Sequence, residues 1–373
     1  MPRFVFTPET LYREAVTLLP AGDLRDFCGR LASAAGASDT AAQLVADSLV
    51  ASNLRGVDSH GVSLLPYYLA QWKSGDVDIR ATGKVASEAG ACLTFDGESA
   101  VGQLVASTCC EYAIRLAGEF GIGLVTARES NHFGAAAYWA KRICDQRRIG
   151  IVLCNASPLV PPWQGREGRL GTNPICMSVP GGEEPAWLLD MATTTVAANK
   201  IFKAFNNRTE AIPAGWAMDK EGVPTTSTDE AYHGLLMPLG GYKGSGLAVM
   251  VEILCAVLSG SAIGTELGGI RFPGKPVRVG QFYLAIEVER FMPVHEFGAR
   301  MDKLIRMLKS TPPAKGYEEV LVADDPERRI EAERAQSGIP IDAGTWDRLA
   351  KSAAELNVPL PPLVSPPPAP IGS

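Results

Sequence analysis

At 373 residues, with 46% hydrophobic content and a formal net charge of -6, the chain is long enough to bury more than one core. The mild acidity and the lack of a long Lys/Arg cluster argue against nucleic acid and anionic membrane as partners, because both demand a basic footprint; a small-molecule substrate is the default. Eight scattered cysteines without a CxxC pair, and four histidines without ligand spacing, point to reduced thiols in a cytoplasmic protein and to no metal site.

Met1–Thr10 has no uninterrupted apolar run, and the stretch from Leu247 to Ile263 is broken by Glu252 and Ser259-Gly260-Ser261, so neither a signal peptide nor a membrane span is expected. Ala41, Leu44, Val45 and Leu49 follow helical spacing between Ser38, a plausible N-cap, and the terminator Gly56. A second helix is predicted from Leu64 to Trp72, with Pro66 in its first turn and Ser74-Gly75 ending it. Val57-Asp58-Ser59-His60-Gly61 therefore falls at a helix-to-helix junction. Residues 85 to 290 mix β-like runs (Gly123 to Thr126, Ile149 to Leu153, Trp187 to Leu189) with helical stretches such as Ala135 to Arg147, the pattern of an α/β lobe. From Asn206 to Leu239 the chain is turn-rich, and it leads through Gly240 to Gly246 into a helix over Leu247 to Leu258. A strand near Phe282 to Val288 precedes helices at Glu296 to Leu308 and Asp342 to Leu356, both expected on the N-terminal helices. The proline-dominated end, Pro359 to Ser373, is expected to be extended.

Four motifs carry candidate chemistry, each beside an ordinary structural reading. In Asp58-Ser59-His60-Gly61 a histidine next to a hydroxyl can protonate a substrate oxygen near neutral pH; equally, Ser59 caps a helix and His60 is a surface residue. Glu129-Ser130-Asn131-His132-Phe133-Gly134 turns from a strand into an Ala-rich helix whose free N–H groups suit a phosphate, or it is a routine capped turn. Asp190, in Leu188-Leu189-Asp190-Met191-Ala192-Thr193-Thr194, either orients His60 or touches a cofactor, or it is an N-cap. Lys243 in the glycine-rich helix start adds charge near backbone amides, or it is simply solvated. Gly240 to Gly246 fails the P-loop pattern, and Gly121-Ile122-Gly123 is followed by Thr126 where a third dinucleotide-binding glycine belongs. Motifs alone leave the cofactor unnamed.

Taken in order, Gly56-Val57-Asp58-Ser59-His60-Gly61-Val62, Asn131-His132-Phe133-Gly134, Gly171-Thr172-Asn173-Pro174, Leu189-Asp190-Met191-Ala192-Thr193 and Gly241-Tyr242-Lys243-Gly244 resemble the type-2 malate/L-lactate dehydrogenase family over nearly the whole chain. Gly165 to Pro174 and Gly338 to Gly344 look closest to its hydroxycarboxylate dehydrogenase branch. The resemblance implies an α/β fold of the α+β kind, non-Rossmann and L-sulfolactate dehydrogenase-like. Residues 85–290 would form a cofactor lobe on a largely antiparallel sheet, with an inserted helical segment around 200–262. Residues 1–84 and 291–357 would form a helical lobe joining the termini, and 358–373 a Pro-rich tail. It also implies a homodimer, NAD or NADP as cofactor, and hydride exchange with a small 2-oxo acid/2-hydroxy acid pair. Reduction of a cyclic imine carboxylate of the piperideine or pyrroline type is the family alternative.

By the same resemblance His60 donates the proton, Ser59 and Asp190 form its relay, and His132 lies near the nicotinamide. The cofactor would run along these histidines, Gly134, Ala135 and Ala136, Thr172 and Asn173, Leu188 to Ala192, and Tyr242 with Lys243. Two departures stand out. Leu64 and Tyr67 occupy positions that are often basic in relatives, which leaves the substrate carboxylate without an evident partner, Arg55 being the nearest candidate. Leu64 also hints at a bulkier alkyl or aromatic 2-oxo acid. Val322-Ala323-Asp324-Asp325-Pro326 stands where relatives carry a Pro-Gly-Glu turn, and Asp324 near the ribose would favour NAD over NADP. Ser59, His60 and Asp190 are also the residue types of a serine hydrolase, but adjacent Ser and His side chains are not expected to face each other as nucleophile and base, and no GxSxG elbow exists. A non-catalytic binding protein would have no need of His60, Asp190 and Lys243 together.

Overall fold

The computed structural model describes residues 17–206, 208–271 and 273–362; Met1–Thr10 and the last prolines lie outside the described residues. The chain opens with β1 (Thr17–Leu19), α1 (Ala21–Ala34), α2 (Asp39–Leu54) and α3 (Leu65–Ser74). Local chemistry sets the ends of these helices. Ser38 Oγ accepts a hydrogen bond from Ala41 N at 3.3 Å, Gly56 takes φ 75° just after α2, and Gly75 ends α3 at φ 81°.

Next come β2 (Lys84–Ala89), β3 (Cys92–Asp96), α4 (Gly102–Phe120), β4 (Ile122–Ser130), α5 (Ala136–Cys144), β5 (Arg148–Cys154), β6 (Ile175–Val179) and β7 (Trp187–Met191). A small unit follows, with α6 (Ala198–Asn206), β8 (Ala217–Met218), β9 (Pro224–Thr225), α7 (Thr228–His233) and β10 (Leu235–Leu236). The chain finishes with α8 (Tyr242–Glu252), β11 (Val279–Glu287), α9 (Val294–Lys309), α10 (Asp325–Ser337), β12 (Ile339–Ile341) and α11 (Ala343–Leu356).

Seven strands form one sheet in the order β2-β3-β4-β11-β5-β6-β7. Among the described residues β3 and β4, joined by α4, are its parallel pair, and the other neighbours are antiparallel. A Rossmann sheet is built from successive parallel βαβ units, so the missing glycine fingerprint follows from the topology. The central strand β11 reads Phe282-Tyr283-Leu284-Ala285-Ile286 without alternation, as a strand covered on both faces should. Helices α4 and α5 lie close on one face because Gly123 and Gly150 carry no side chain: an added Cβ would sit 2.1 Å from Ala113 O and 2.7 Å from Ala140 O. On the other face Val251 and Cys255 pack against Phe282. Val251 belongs to α8, which begins at Tyr242, five residues before the expected start, and Cys255 to the π-turn over Ile253–Val257 that continues it.

A second core joins both ends of the chain: Phe27, Leu31, Val45, Leu49 and Leu65 meet Ile339 and Leu349, while β12 pairs antiparallel with β1. Helix α11 packs on α1 and α3, as expected from sequence. Helix α9 does not join them. Its Asp302 accepts backbone N–H bonds from Gly182 at 3.0 Å, Glu183 at 2.8 Å and Glu184 at 3.0 Å, which places α9 on the β6–β7 turn of the sheet lobe. A tight turn leaves N–H groups that need an acceptor, and a helix's charge pattern cannot name that partner. Among the described residues no helix is long and apolar enough to cross a membrane.

Candidate active site

A cleft of 1210 Å³ lies where the helical lobe, the sheet lobe and the small unit meet, lined by segments carrying His60, His132, Asp190, Asn199, Arg271 and Asp324. Its first wall is the junction between α2 and α3, where Asp58–His60 forms a single 3₁₀ turn. Asn53, in the last turn of α2, donates to Asp58 Oδ1 at 2.6 Å and accepts from Val62 N at 2.8 Å. Arg334 of α10 grips the Asp58 carboxylate at 2.7 and 3.0 Å. The turn brings Ser59 Oγ within 2.8 Å of His60 Nδ1, the contact that the family resemblance implies. The tight backbone turn is the reason.

The second wall is the β4–α5 turn. Asn131 Nδ2 donates to Ser99 O and Ala100 O, each at 2.9 Å, Gln281 Nε2 donates to Asn131 O at 3.0 Å, and Trp139 Nε1 donates to Phe133 O at 2.9 Å. His132 is thereby held from three sides. Its Nδ1 accepts from Gly134 N at 3.2 Å and lies 2.6 Å from Tyr68 Oη, so the neutral ring carries its proton on Nε2. The His60 and His132 rings stack with centroids 5.9 Å apart and planes inclined by 20°.

Burial lowers His60 to about 4; burial, then repulsion from His60 and Arg271, lowers His132 to about 3. Both are neutral at pH 7. Asp190 faces the cavity and is open to cavity water, yet it lies deep enough that burial pushes its carboxyl up to about 6, against the hydrogen bond from Ala137 and the charge of Arg55. That water tempers the shift; a bound ligand would expel it.

Most of the residues singled out in sequence line the cleft: Ser59, His60, His132, Gly134, Ala135, Ala136, Thr172, Leu188 to Ala192 and Asp324. Of the expected Ser59–His60–Asp190 relay, the Ser59–His60 contact is present, and Asp190 is bonded elsewhere. Asp190 Oδ2 accepts from Ala137 N at 2.9 Å, because the first turn of α5 presents N–H groups without helical partners. Asn173 is a buried strut: its Oδ1 accepts from Ala156 N at 3.0 Å and its Nδ2 donates to Ala248 O at 2.9 Å and Glu252 Oε2 at 3.0 Å. Tyr242 and Lys243 are exposed on α8 and do not line the cleft. Arg55 is committed to Asp324 and to Glu331 at 3.1 Å, which removes it as a carboxylate partner. Sequence reasoning missed Tyr68, Asn199 and Arg271. Arg271 lies in a glycine-rich segment whose only sequence signal is a lone cation.

The residues present fit a nicotinamide dinucleotide. Gly134, Ala135, Ala136 and Ala137 offer one wall with nothing beyond Cβ, at the start of the nine-residue helix α5. The cleft also exceeds the several hundred Å³ typical of a smaller ligand's site. Among the described residues no group of three or more His, Cys, Asp or Glu is placed to hold a metal.

Hydride exchange with a hydroxy acid needs a proton carrier at the alcohol oxygen and a sheltered slot for the nicotinamide, and this cleft offers both on a sheet that is not Rossmann. The class is therefore that of hydroxy acid dehydrogenases with a non-Rossmann cofactor lobe. The chain belongs to the malate/L-lactate dehydrogenase family, whose model matches residues 19–350. It is 35% identical over 323 residues to L-sulfolactate dehydrogenase of Methanocaldococcus jannaschii, covering 87% of this chain and 92% of that protein. It is 32% identical over 344 residues to hydroxycarboxylate dehydrogenase B of Escherichia coli K12, covering 91% and 94%. The malate dehydrogenase structure from Pyrococcus horikoshii OT3 superposes with a TM-score of 0.86 at 33% identity, covering 94% of this chain and 99% of that one.

Proposed function

We propose that this dehydrogenase interconverts a 2-oxo acid bearing an alkyl or aromatic side chain with its 2-hydroxy acid, uses NAD in preference to NADP, and relies on His60 to carry the proton. The observation that carries the reading is the unequal wiring of the two stacked histidines. Ser59 Oγ at His60 Nδ1 leaves Nε2 of that ring for the substrate, and the hydroxyl can either donate or accept as the ring changes protonation. His132 cannot take a proton on Nδ1 without opposing the N–H of Gly134, so it serves as a fixed Nε2–H donor to the substrate oxygen.

When bound, the dinucleotide supplies or accepts a hydride at substrate C2. In oxidation His60 removes the hydroxyl proton, and in reduction it returns one to the oxygen. Asp190 acts by capping α5 and so holding the wall from Gly134 to Ala137. Leu64, Tyr67 and Phe202 line the cleft and support an apolar substrate side chain. Asp324 also lines it, paired with Arg55, and the carboxylate of Glu327 beside it would repel a 2′-phosphate, which supports NAD. A homodimer is supported by the exposed Val249, Met250, Ile253 and Val257 along α8 and its π-turn; Tyr242 and Lys243 on the same helix would then face the partner subunit.

The test is a panel of pyruvate, 4-methyl-2-oxopentanoate, phenylpyruvate, oxaloacetate and Δ1-piperideine-2-carboxylate, run with NADH and NADPH in parallel and followed by loss of reduced-dinucleotide absorbance. The highest kcat/KM is expected with an alkyl or aromatic 2-oxo acid and NADH. Activity confined to the cyclic imine would overturn the reading.

A further inference from the structure

We infer that Arg271 anchors the substrate carboxylate, a role that rests on the 2-oxo acid reading and that no sequence motif assigns. Three cations line the cleft among the described residues: Arg55, Arg271 and Lys275. Arg55 is neutralised by Asp324 and Glu331. Lys275 turns its Nζ onto carbonyls of its own loop, Thr265 O at 3.0 Å and Leu267 O at 2.9 Å. Arg271 makes two neutral hydrogen bonds, from Nη1 to Tyr67 Oη at 3.1 Å and from Nη2 to Asn199 Oδ1, and has no acidic partner among the described residues. A guanidinium has five N–H donors, so three remain for a ligand.

The surroundings hold this guanidinium in place without cancelling its charge. Its central carbon lies 4.8 Å from the Tyr67 ring centroid and 4.9 Å from that of Phe202. Two aromatic contacts restrict the side chain and favour the cation while leaving its planar fork free to meet a carboxylate. A half-buried cation without an anion is costly, and a bound carboxylate would relieve that cost. Asn199 connects the anchor to the chemistry: it accepts from Arg271 and donates from Nδ2 to Ser59 O at 2.7 Å, on the turn that carries His60. One side chain from α6 thus sets the guanidinium relative to the proton carrier. With the positive charge at Arg271, Leu64 is left as an apolar surface for the rest of the substrate.

The experiment measures binding of oxamate, which carries a carboxylate beside an amide carbonyl, to the NADH-saturated full-length protein by calorimetry, with neutral oxamide as control. Arg271→Met is expected to weaken oxamate by roughly 30-fold or more, the scale of a lost charge-assisted pair, and to leave NADH affinity and oxamide binding unchanged. Arg271→Lys keeps the charge without the fork and should fall between the two. The anchor is overturned if the wild-type protein does not bind oxamate, if Arg271→Met binds it normally, or if NADH affinity falls in parallel. A wild-type protein that binds oxamate through Arg271 but reduces no 2-oxo acid would sink the proposed activity and leave the anchor standing.

Discussion

Raising the pH is expected to slow reduction while leaving oxidation unchanged. Burial holds His60 at about 4, so above pH 5 the neutral ring dominates and the protonated fraction falls about tenfold per unit. That fraction is about 10⁻³ at pH 7 and about 10⁻⁵ at pH 9, so kcat/KM for reduction should drop roughly 100-fold across this window. The base form needed for oxidation exceeds 99% throughout by the same relation, about 999 parts in 1000 at pH 7. Because reduction consumes one proton, the ratio of the two directions must shift with pH in any enzyme; the buried ring assigns that shift to the reductive limb. The window starts at pH 7 because Asp190, held at about 6, titrates below it. Initial rates at low substrate, measured in both directions at constant ionic strength, report the free-enzyme groups. His60→Ala should lower turnover by roughly 10²-fold or more and abolish the slope. A flat reductive limb with a rising oxidative one, or wild-type turnover in the folded variant, would refute the assignment.

Two further outcomes are expected. A Cβ on Gly61 would lie 2.1 Å from Asn53 Oδ1, so Gly61→Ala must displace the amide that holds Val62 and Asp58; kcat/KM should fall by roughly tenfold or more through mispositioning of His60, and unaltered kinetics would show that the Asn53 clamp does not position the histidine. Light scattering should give twice the chain mass, and Val249→Glu with Ile253→Glu on the exposed face of α8 should reduce it; a monomeric wild-type protein would remove the role proposed for that face.

Local chemistry made a good part of the molecule legible. Ser38, Gly56, Pro66 and Gly75 mark helix ends because a cap or a left-handed turn is decided within a few residues. The family resemblance carried by the ordered motifs implied a non-Rossmann sheet, which the topology bears out, and His60, His132 and Asp190 all reached one cleft. Partners were harder to read. The motif pattern alone left Ser59 as a helix cap and His60 as a surface residue, yet a single 3₁₀ turn brings them together, as the family resemblance implied. Asp190 had the right type for a histidine's partner, but the N–H groups of α5 were nearer.

By itself the sequence determined several of the helices, where some of them stop, and which titratable groups are available for proton transfer, since each depends on chemistry spanning a few residues; α1, α4 and α10 were not read from it. The tertiary structure alone decided that β11 enters the sheet between β4 and β5, that α9 docks on the β6–β7 turn, and that Arg271 reaches the cleft between Tyr67 and Phe202. An apolar strand covered on both faces carries no record of its neighbours, and a lone arginine in a glycine-rich loop acquires meaning only from what folds against it. The same enclosure depresses the two histidines, because desolvation is a property of the assembled cleft rather than of any motif.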